Sequence, residues 1–351
     1  MTSSLDPARP GSPARERSSG LLLAGDIGGT KTALAVYAAE RGPRASLLEA
    51  EYPSGEYASL EAVVREFLGT TTLTVNRACF AVAGPVLAGS SQITNLPWRL
   101  QETRLQTDLG LESVHLVNDL EAIADAMTIL GPQDLYILNA GEPAPGGARA
   151  VIAPGTGLGE AFLVWDGTRY RAYPSEGGHA DFAPATAQQA GLLTSLLRQY
   201  DHVSVERVCS GPGLLRIYQY LRDSGQAAES AELARALAAE SENQPPLIGQ
   251  AALRSDPDPL ARAAVEMLVS ILGAEAGNLA LKVLSTGGVY LAGGIPSRIL
   301  PMLEDGRFMR AFTAKGRFHD LLSRIPVYAV TLRAALLGAA HRGLELAAAQ
   351  D

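Results

Sequence analysis

The chain has 351 residues, of which 47% are hydrophobic and 19% are charged, and its formal net charge is −8 at pH 7. This length predicts about two domains, and the apolar content is sufficient for two ordinary cores. The acidic balance lacks the basic surface of a nucleic-acid-binding protein, so we expect no nucleic-acid partner. A phosphate ligand would have to be held locally, by backbone N–H groups, a metal or a few cations.

Cys79 and Cys209 are the only cysteines, and neither belongs to a CxxC motif or a Cys/His cluster. We therefore expect no structural zinc, and two separate thiols are typical of a reducing cytosol. No apolar run approaches the ~18 residues that span a membrane, so we expect a cytoplasmic protein without a membrane partner. Residues 1–20 are rich in Ser, Pro and Arg and lack the apolar core of a signal peptide, which predicts a disordered tail.

Predicted order begins at Leu21. Residues 21–37 read LLLAGDIGGTKTALAVY, and this glycine-rich centre between two apolar runs predicts a strand, a tight turn and a second strand. Apolar periodicity and turn signals predict the remaining elements. In chain order these are a helix at 59–67, strands at 77–83 and 113–117, a helix at 120–130, a loop at 141–147, a strand pair at 150–165, helices at 187–200, 211–223, 230–239 and 259–284, strands at 288–295 and 325–330, and a closing helix at 332–349.

The strand pair at 150–165, AVIAPGTGLGEAFLVW, repeats the pattern of the first hairpin at about half-chain spacing. Ala153 falls on Ala24, and Gly157 falls on Gly28. A repeat at this spacing predicts a duplicated architecture rather than a solenoid. The alternation of strands and helices indicates an α/β fold with partly parallel sheets.

The first glycine-rich motif is Asp26-Ile27-Gly28-Gly29-Thr30. Glycines at a hairpin turn let backbone N–H groups approach an anion closely, and Asp26 at the strand end could position Mg²⁺ through water. The motif has neither the Walker A nor the Rossmann spacing. Taken alone, it is explained equally well as an ordinary hairpin with an acidic turn residue.

The second glycine-rich motif is Gly155-Thr156-Gly157-Leu158-Gly159. Alone it could be simple turn chemistry. In repeated units, however, two such hairpins can face each other across a cleft and hold the two ends of a triphosphate. The Thr156 hydroxyl would add a donor for a phosphate oxygen.

Asn118-Asp119 follows a predicted strand and opens a predicted helix. Open α/β sheets bind ligands at this edge, so a carboxylate here is a candidate for catalysis. Asn and Asp are also the commonest helix N-caps, and on position alone the cap is the better explanation.

Three further features are candidates for ligand contact. Glu176 and His179 are separated by two glycines in SEGGHADF, a pattern suited to binding adjacent hydroxyls, although a surface turn explains it too. Glu206 alone looks like a surface charge near a helix start. Gly293-Gly294 ends an apolar strand and would permit close contact with a base or ribose, or would make a plain turn.

Together these motifs resemble one family closely. DIGGT, NLPW at 95–98, VNDLEAIA at 117–124, GTGLG, SEGGHADFAP, SVERVCSGPG and VYLAGGI occur in the order seen in bacterial glucokinases, within the hexokinase, Hsp70 and actin superfamily. The resemblance extends from Leu21 to the C-terminus. It implies a duplicated actin-like (ribonuclease H-like) α/β fold of two domains with an ATP and sugar cleft between them. The implied units are the tail 1–20, a small domain of 21–129 plus 332–351, and a large domain of 130–331.

The resemblance also implies roles for individual residues. Asp26, Gly28, Gly29 and Thr30 match the first phosphate motif, Gly155, Thr156, Gly157 and Gly159 the second, and Gly293 with Gly294 part of the adenosine motif. Asp119 matches the general base. The glucose contacts would be Asn95, Asn118, Glu176, His179 and Glu206.

The chain departs from the family pattern after Thr30. Many members have Asn-Ala-Arg there, whereas this chain has Lys31-Thr32-Ala33, the form commoner in the related ROK kinases. The contacts that Lys31 makes are therefore left open, whereas the assignment of the phosphate motif is unaffected. The ROK group's Cys-rich zinc motif is missing after SEGGH, which argues against ROK membership and against structural zinc.

The implied function is transfer of phosphate from Mg·ATP to the 6-hydroxyl of D-glucose, by an enzyme that is a homodimer in many relatives. Within enzymes, the alternatives are another hexose (mannose, fructose or N-acetylglucosamine) or polyphosphate as donor. A sugar-responsive regulator of the ROK type would need a DNA-binding domain, and about 20 residues before the first strand are too few for one. A non-catalytic protein of the actin or Hsp70 type would not need the Glu/His loop or Asp119.

Overall fold

The structure is a computed structural model, and it describes residues 20–93, 96–240 and 244–350. The predicted tail, apart from Gly20, lies outside the described residues. The strands are β1 (Leu21–Ile27), β2 (Lys31–Tyr37), β3 (Leu48–Pro53), β4 (Val75–Val82), β5 (Ser90–Gln92), β6 (Arg99–Gln101), β7 (Ser113–Asn118), β8 (Leu135–Asn139), β9 (Arg149–Pro154), β10 (Leu158–Trp165), β11 (Tyr170–Ser175), β12 (Gly288–Leu291) and β13 (Val327–Val330).

The helices surround two large sheets. They are α1 (Leu60–Gly69), α2 (Glu102–Leu109), α3 (Asp119–Ala126), α4 (Ala187–Leu196), α5 (Gly211–Asp223), α6 (Ala231–Ala239), α7 (Gln244–Leu253), α8 (Pro259–Val283), α9 (Leu300–Leu303), α10 (Arg307–Thr313), α11 (His319–Ser323) and α12 (Ala334–Gln350).

The first sheet has the strand order β3-β2-β1-β4-β7. The predicted hairpin is present: β1 and β2 pair antiparallel, while β4 and β7 run parallel to β1. In this register Ile27 lies opposite Val82, and Val82 opposite Asn118. The carboxyl ends of three strands therefore meet at one edge, which brings Asp26 close to the start of α3.

The second sheet repeats this pattern in the order β11-β10-β9-β12-β13-β8. Strands β9 and β10 form the second antiparallel hairpin, and β12 and β13 run parallel to β9. Apart from the extra edge strand β8, each strand has its counterpart in the first sheet. The predicted duplication and the partly parallel sheets are confirmed. The division into domains at residues 129 and 332 is consistent with the two sheets and stays a prediction.

Long helix α8 forms the centre of the largest core. Its residues Leu268, Val269 and Leu272 are almost fully buried, and it packs against α5, α7 and α10. Among the described residues, α8 alone is long and apolar enough to cross a membrane by length and composition. Most of that apolar surface is buried inside the protein, which is the pattern of a core helix.

Several elements differ from the sequence predictions. Helix α3 ends at Ala126 rather than at residue 130, and β12 ends at Leu291, before the glycine pair. Edge strands β3 and β11 were not predicted. Strand β3 carries two glutamates and β11 contains Pro174, so neither has the apolar run of a buried strand. Helices α2, α7 and α9 to α11 and strands β5, β6 and β8 were also missed.

The C-terminal helix α12 returns to the first sheet and packs on α3. Gly338 lies against the backbone of Ala122, and a Cβ atom at this glycine would overlap the Ala122 carbonyl oxygen. Arg342 donates from Nη2 to Glu121 at 2.7 Å and from Nε to Asp125 at 2.8 Å. These contacts fix the helix that begins at Asp119.

We predict that Gly338→Ala destabilises the protein, because the added methyl group forces α12 away from α3. Overpacking of this kind costs about 1–3 kcal/mol, measurable as a lower free energy of unfolding in urea. Gly249→Ala is the matched control, because a Cβ atom at this position of α7 meets nothing within 4 Å. It should be stabilising by about 0.5–1 kcal/mol. Equal stability of the two variants would contradict the close contact at Gly338.

Candidate active site

Asp119 is the first residue of α3, directly after β7 at the carboxyl edge of the first sheet, and lies near Asp26. Burial raises the pKa of the Asp119 carboxyl from 3.8 to about 7, and the negative charges of Asp26 and, less strongly, Glu176 add to the rise. A backbone hydrogen bond from Leu120, at 2.9 Å to Oδ1, opposes it. A carboxyl group whose pKa lies near neutral pH is suited to act as a general base, because its ionised form can accept a proton at that pH.

Asn118, not Asp119, is the N-cap of α3. Its Oδ1 accepts from the backbone N–H groups of Leu120 at 3.0 Å and Glu121 at 3.3 Å. Its Nδ2 donates to the carbonyl oxygen of Gly84 at 3.0 Å. The interpretation of Asp119 as the cap was therefore wrong, because the preceding amide occupies the N-cap position. Asp119 Oδ1 shares the Leu120 N–H with Asn118. The sugar contact of Asn118 stays a prediction.

The first hairpin is closed by Gly28, whose N–H donates to the Lys31 carbonyl oxygen at 2.9 Å. Ser54 stabilises the turn through its side chain. Its Oγ donates to the Gly28 carbonyl oxygen at 2.8 Å and lies 2.9 Å from Thr32 Oγ1. Its N–H donates to the carbonyl oxygen of Thr30, whose side chain is exposed. Sequence reasoning missed Ser54, because a serine after an unpredicted edge strand gives no signal of its own.

Two cations lie beside this hairpin, and one carboxylate holds both. Glu51 accepts from Lys31 Nζ through Oε1 at 2.5 Å and pairs with Arg333 Nη1 through Oε2 at 2.5 Å. Burial raises the pKa of Asp26 to about 6; Arg333 opposes this rise, and Glu51 adds to it. Lys31 therefore belongs to a charge network next to the phosphate motif.

The second hairpin turns at Gly155 to Gly157, where the Gly155 N–H donates to the Gly157 carbonyl oxygen at 2.8 Å. The side chain of Thr156 is exposed at the tip. Gly159 packs against Leu120, and a Cβ atom at this glycine would overlap the Leu120 side chain. The second hairpin therefore packs directly against Leu120, the residue that follows Asp119.

Glu206 joins the second hairpin to the loop that carries Glu176 and His179, the predicted sugar loop. Its backbone N–H donates to the Gly178 carbonyl oxygen, and its Oε2 accepts from the Leu158 N–H, both at 2.9 Å. A Cβ atom at Gly157 would lie 2.5 Å from the same Oε2. The sequence interpretation of Glu206 as an ordinary surface charge was wrong, because both its backbone and its carboxylate are engaged between two motifs that are distant along the chain.

The sugar loop is a 3-10 turn, Gly177–His179, that follows β11. Glu176 and His179 are well exposed, and His179 Nε2 lies 3.8 Å from Glu176 Oε2. The negative charge of Glu176 adds to the rise of the Asp119 pKa, so the loop lies within electrostatic range of the proposed base. Asn95, the remaining predicted sugar contact, lies outside the described residues.

Gly293 and Gly294 follow β12 beside the end of β9. Gly293 has φ +80°, and a Cβ atom there would lie 2.6 Å from the Pro154 carbonyl oxygen, so only glycine fits without strain. A Cβ atom at Gly294 would meet nothing within 4 Å, which leaves open space above it. This glycine pair is thus adjacent to the second hairpin, as an adenosine site would require.

The start of α5 also borders the second hairpin, a feature that sequence reasoning missed. The Gly211 N–H donates to the Gly155 carbonyl oxygen at 2.8 Å, and Ser210 caps the helix through a bond from Gly213 N–H at 3.1 Å. The positive end of a helix dipole favours anions. The helix at 211–223 was predicted and is confirmed, but only tertiary contact places its start beside the hairpin.

Comparison with known proteins agrees with this arrangement. The sequence matches the model of the Glucokinase family over residues 23–345. The chain belongs to the glucokinase family. It is 42% identical to a glucokinase of Nostoc punctiforme over 334 residues, which cover 91% of this chain and 98% of the relative. A Synechocystis glucokinase is 40% identical, with coverage of 91% and 96%.

Solved glucokinases have the same fold. One from an Antarctic psychrotroph superimposes with a TM-score of 0.73 at 30% identity, covering 93% of this chain and 99% of its own. A Balamuthia mandrillaris glucokinase in complex with glucose gives 0.76 at 23% identity, with coverage of 92% and 93%. A ROK family glucokinase from Streptomyces griseus with glucose and AMPPNP gives 0.66 at 21% identity, with coverage of 93% and 100%. The expected duplicated actin-like fold is confirmed.

We predict that Glu206→Ala impairs the use of both substrates, because its carboxylate fixes the second phosphate hairpin and its segment contacts the sugar loop. Loss of a hydrogen bond to a charged group costs roughly 1.5–3 kcal/mol, or about 10- to 100-fold in kcat/KM. Steady-state assays with glucose and ATP varied in turn measure this. Glu232→Ala, at an exposed ion pair on α6, is the control. A rise in the glucose KM alone would reduce Glu206 to a sugar contact.

Proposed function

We propose that this glucokinase-family chain transfers the γ-phosphoryl group of ATP to the 6-hydroxyl of D-glucose, giving ADP and glucose 6-phosphate. The observation that supports this best is the position of Asp119. Its partly buried carboxyl group, with a pKa of about 7, lies at the carboxyl edge of the first sheet, next to Leu120, on which the second hairpin packs, and interacts electrostatically with Asp26 and Glu176.

In the proposed reaction the carboxylate of Asp119 orients the glucose 6-hydroxyl and accepts its proton. The bond from this oxygen to the γ-phosphorus forms while the bond from phosphorus to the β-γ bridging oxygen breaks, and ADP leaves with that electron pair. Phosphoryl transfer passes through a loose transition state, so Asp119 acts more by orientation than by early proton removal.

The phosphates would lie between the two hairpins, where backbone N–H groups and the exposed Thr30 and Thr156 hydroxyls are available. The start of α5 adds the positive end of a helix dipole. Among the described residues, no cluster of three or more His, Cys, Asp or Glu could hold a metal. A single carboxylate still fits Mg²⁺ that arrives with ATP, since magnesium keeps its waters and needs few protein ligands. Asp26 would hold it through water, and bound Mg²⁺ would neutralise phosphate charge.

The sugar would lie between α3 and the Gly177–His179 turn. Glu176, His179 and Glu206 would bind hydroxyls, together with Asn118 and Asn95. A site built to hydrogen-bond several hydroxyls strongly rejects analogues that lack one. A panel of hexoses and phosphoryl donors in an ADP-release assay would test the preference for glucose and ATP. A cytoplasmic location, a place in glycolysis and a homodimeric state belong to the same proposal.

We predict that Asp119→Asn abolishes most turnover, because the amide cannot accept the hydroxyl proton. A positioned base contributes roughly 10²–10⁴-fold, so kcat should fall by about that factor while glucose affinity changes little. Asp223→Asn is the control, an exposed aspartate at the end of α5. Near-normal turnover of Asp119→Asn, with binding unchanged, would remove Asp119 from the mechanism.

We also predict that kcat/KM for glucose, which reports on the free enzyme, rises with pH up to about 7 and then levels off, because only the ionised Asp119 accepts a proton. The negative charge of Asp26 raises the Asp119 pKa. Asp26→Asn should therefore displace the acid limb of the kcat/KM profile to lower pH, even if overall activity falls. An unchanged limb would mean that the two carboxyl groups do not interact.

A further inference from the structure

Glu160 is a buried acidic residue that has no role in the proposed mechanism. It lies near the start of β10, just after the glycine-rich turn of the second hairpin, and is 1% exposed. Its Oε1 is buried and has no hydrogen-bond partner in the part of the chain that the structure describes. A buried carboxylate without compensation is costly, so this group needs a physical explanation.

The surroundings favour the neutral form of Glu160. Burial raises the pKa of Glu160 to about 7; the negative Glu275 on α8 adds to the rise, and Lys282 opposes it. Lys282 itself lies 3.4 Å from Glu275 Oε1, and Asn278 donates to Glu275 Oε2 at 2.8 Å. Lys282 and Asn278 therefore interact with the carboxylate of Glu275. Cys209, before α5, also interacts electrostatically with Glu160.

Glu160 lies directly beneath the predicted sugar loop. In the pairing of β10 with β11, Glu160 is opposite Ser175, the last residue before Glu176. A Cβ atom at Gly177 would overlap Glu160 Oε2 and approach Ser175 Oγ to 3.3 Å. Ser175 Oγ accepts from the Gly177 N–H at 3.0 Å. The carboxyl group thus fills the space under the turn that carries Glu176 and His179.

Packing alone does not account for an acid at this position. An apolar side chain of similar volume would fill the space without the cost of burying a carboxyl group beside Glu275. Ionisation of Glu160 would place a second buried negative charge close to Glu275. The Gly177–His179 turn lies against this carboxyl group, and the side chains of Glu176 and His179 are exposed.

We propose that Glu160 is a positioning residue for the sugar: as the neutral acid it supports the Gly177–His179 turn from below, in the position from which Glu176 and His179 reach the hexose. This rests on the proposed function, because it assigns the turn to sugar binding. When Glu160 loses its proton, the turn shifts and the affinity for glucose falls. ATP affinity changes less, because the Glu160 carboxyl group contacts the turn at Gly177, whereas Gly157 and Gly159 of the second hairpin contact Glu206 and Leu120.

The test compares wild type, Glu160→Gln and Glu160→Ala. Glucose affinity is measured by calorimetry without ATP between pH 6 and 9, and KM values for both substrates are measured at pH 6.5. If only the neutral acid supports binding, wild-type affinity falls about tenfold per pH unit above pH ~7. Glu160→Gln keeps the shape without the charge, so its affinity should equal that of wild type at pH 6 and stay level to pH 9. Both proteins retain Asp119 and His179, so the difference between them reports on Glu160.

Glu160→Ala removes the support, so its glucose KM should rise about tenfold or more while its ATP KM stays within about twofold. Glu232→Gln, an exposed acid, is the control for a Glu-to-Gln change. Parallel pH profiles of wild type and Glu160→Gln would overturn the inference. So would an unchanged glucose KM in Glu160→Ala, even with a lower melting temperature. If Glu160→Ala does not fold, the comparison with Glu160→Gln decides. Wild-type protein that phosphorylates no glucose would overturn the proposed function instead.

Discussion

The proposed site depends on the partial burial of two carboxyl groups, those of Asp26 and Asp119, at one edge of the first sheet. Strands β1, β4 and β7 end in register, so the residues at their ends converge. Burial and mutual repulsion then move the pKa of Asp119 to about 7. Arg333, held by Glu51, limits the same effect at Asp26. The reactive group of the proposed site is thus a product of strand register.

Side chains that hold backbone in place surround this pair. Asn118 caps α3, Ser54 fastens the first hairpin, and Glu206 bridges the second hairpin and the sugar loop. Glycines stand where these side chains or other backbones approach, as at Gly157 against Glu206. Glu160 beneath the sugar loop completes the set. The ligand-facing groups therefore rest on polar contacts. Those of Asn118, Ser54 and Glu206 satisfy backbone donors or acceptors, whereas Glu160 keeps one buried oxygen without a partner in the part of the chain that the structure describes.

Much of this was predictable from the chain. Both hairpins, the strands that precede Asn118 and Gly293, and helix α5 follow from apolar runs bounded by glycine, which are strong local signals. The family motifs located the proposed base and glycine loops. Edge strands β3 and β11 were not predictable in this way, because charged residues and Pro174 replace the apolar alternation. The bridge made by Glu206 was not either, since it joins residues 48 positions apart.

The sequence by itself determined that two glycine-rich hairpins recur in a duplicated α/β fold, and that an Asn-Asp pair closes one of its strands. Local residue preferences suffice for such features. The tertiary structure decided which of that pair caps the helix, how far the Asp119 pKa rises, and which acid lies beneath the sugar loop. Desolvation and charge repulsion act between residues that are far apart along the chain, so only the folded arrangement fixes them.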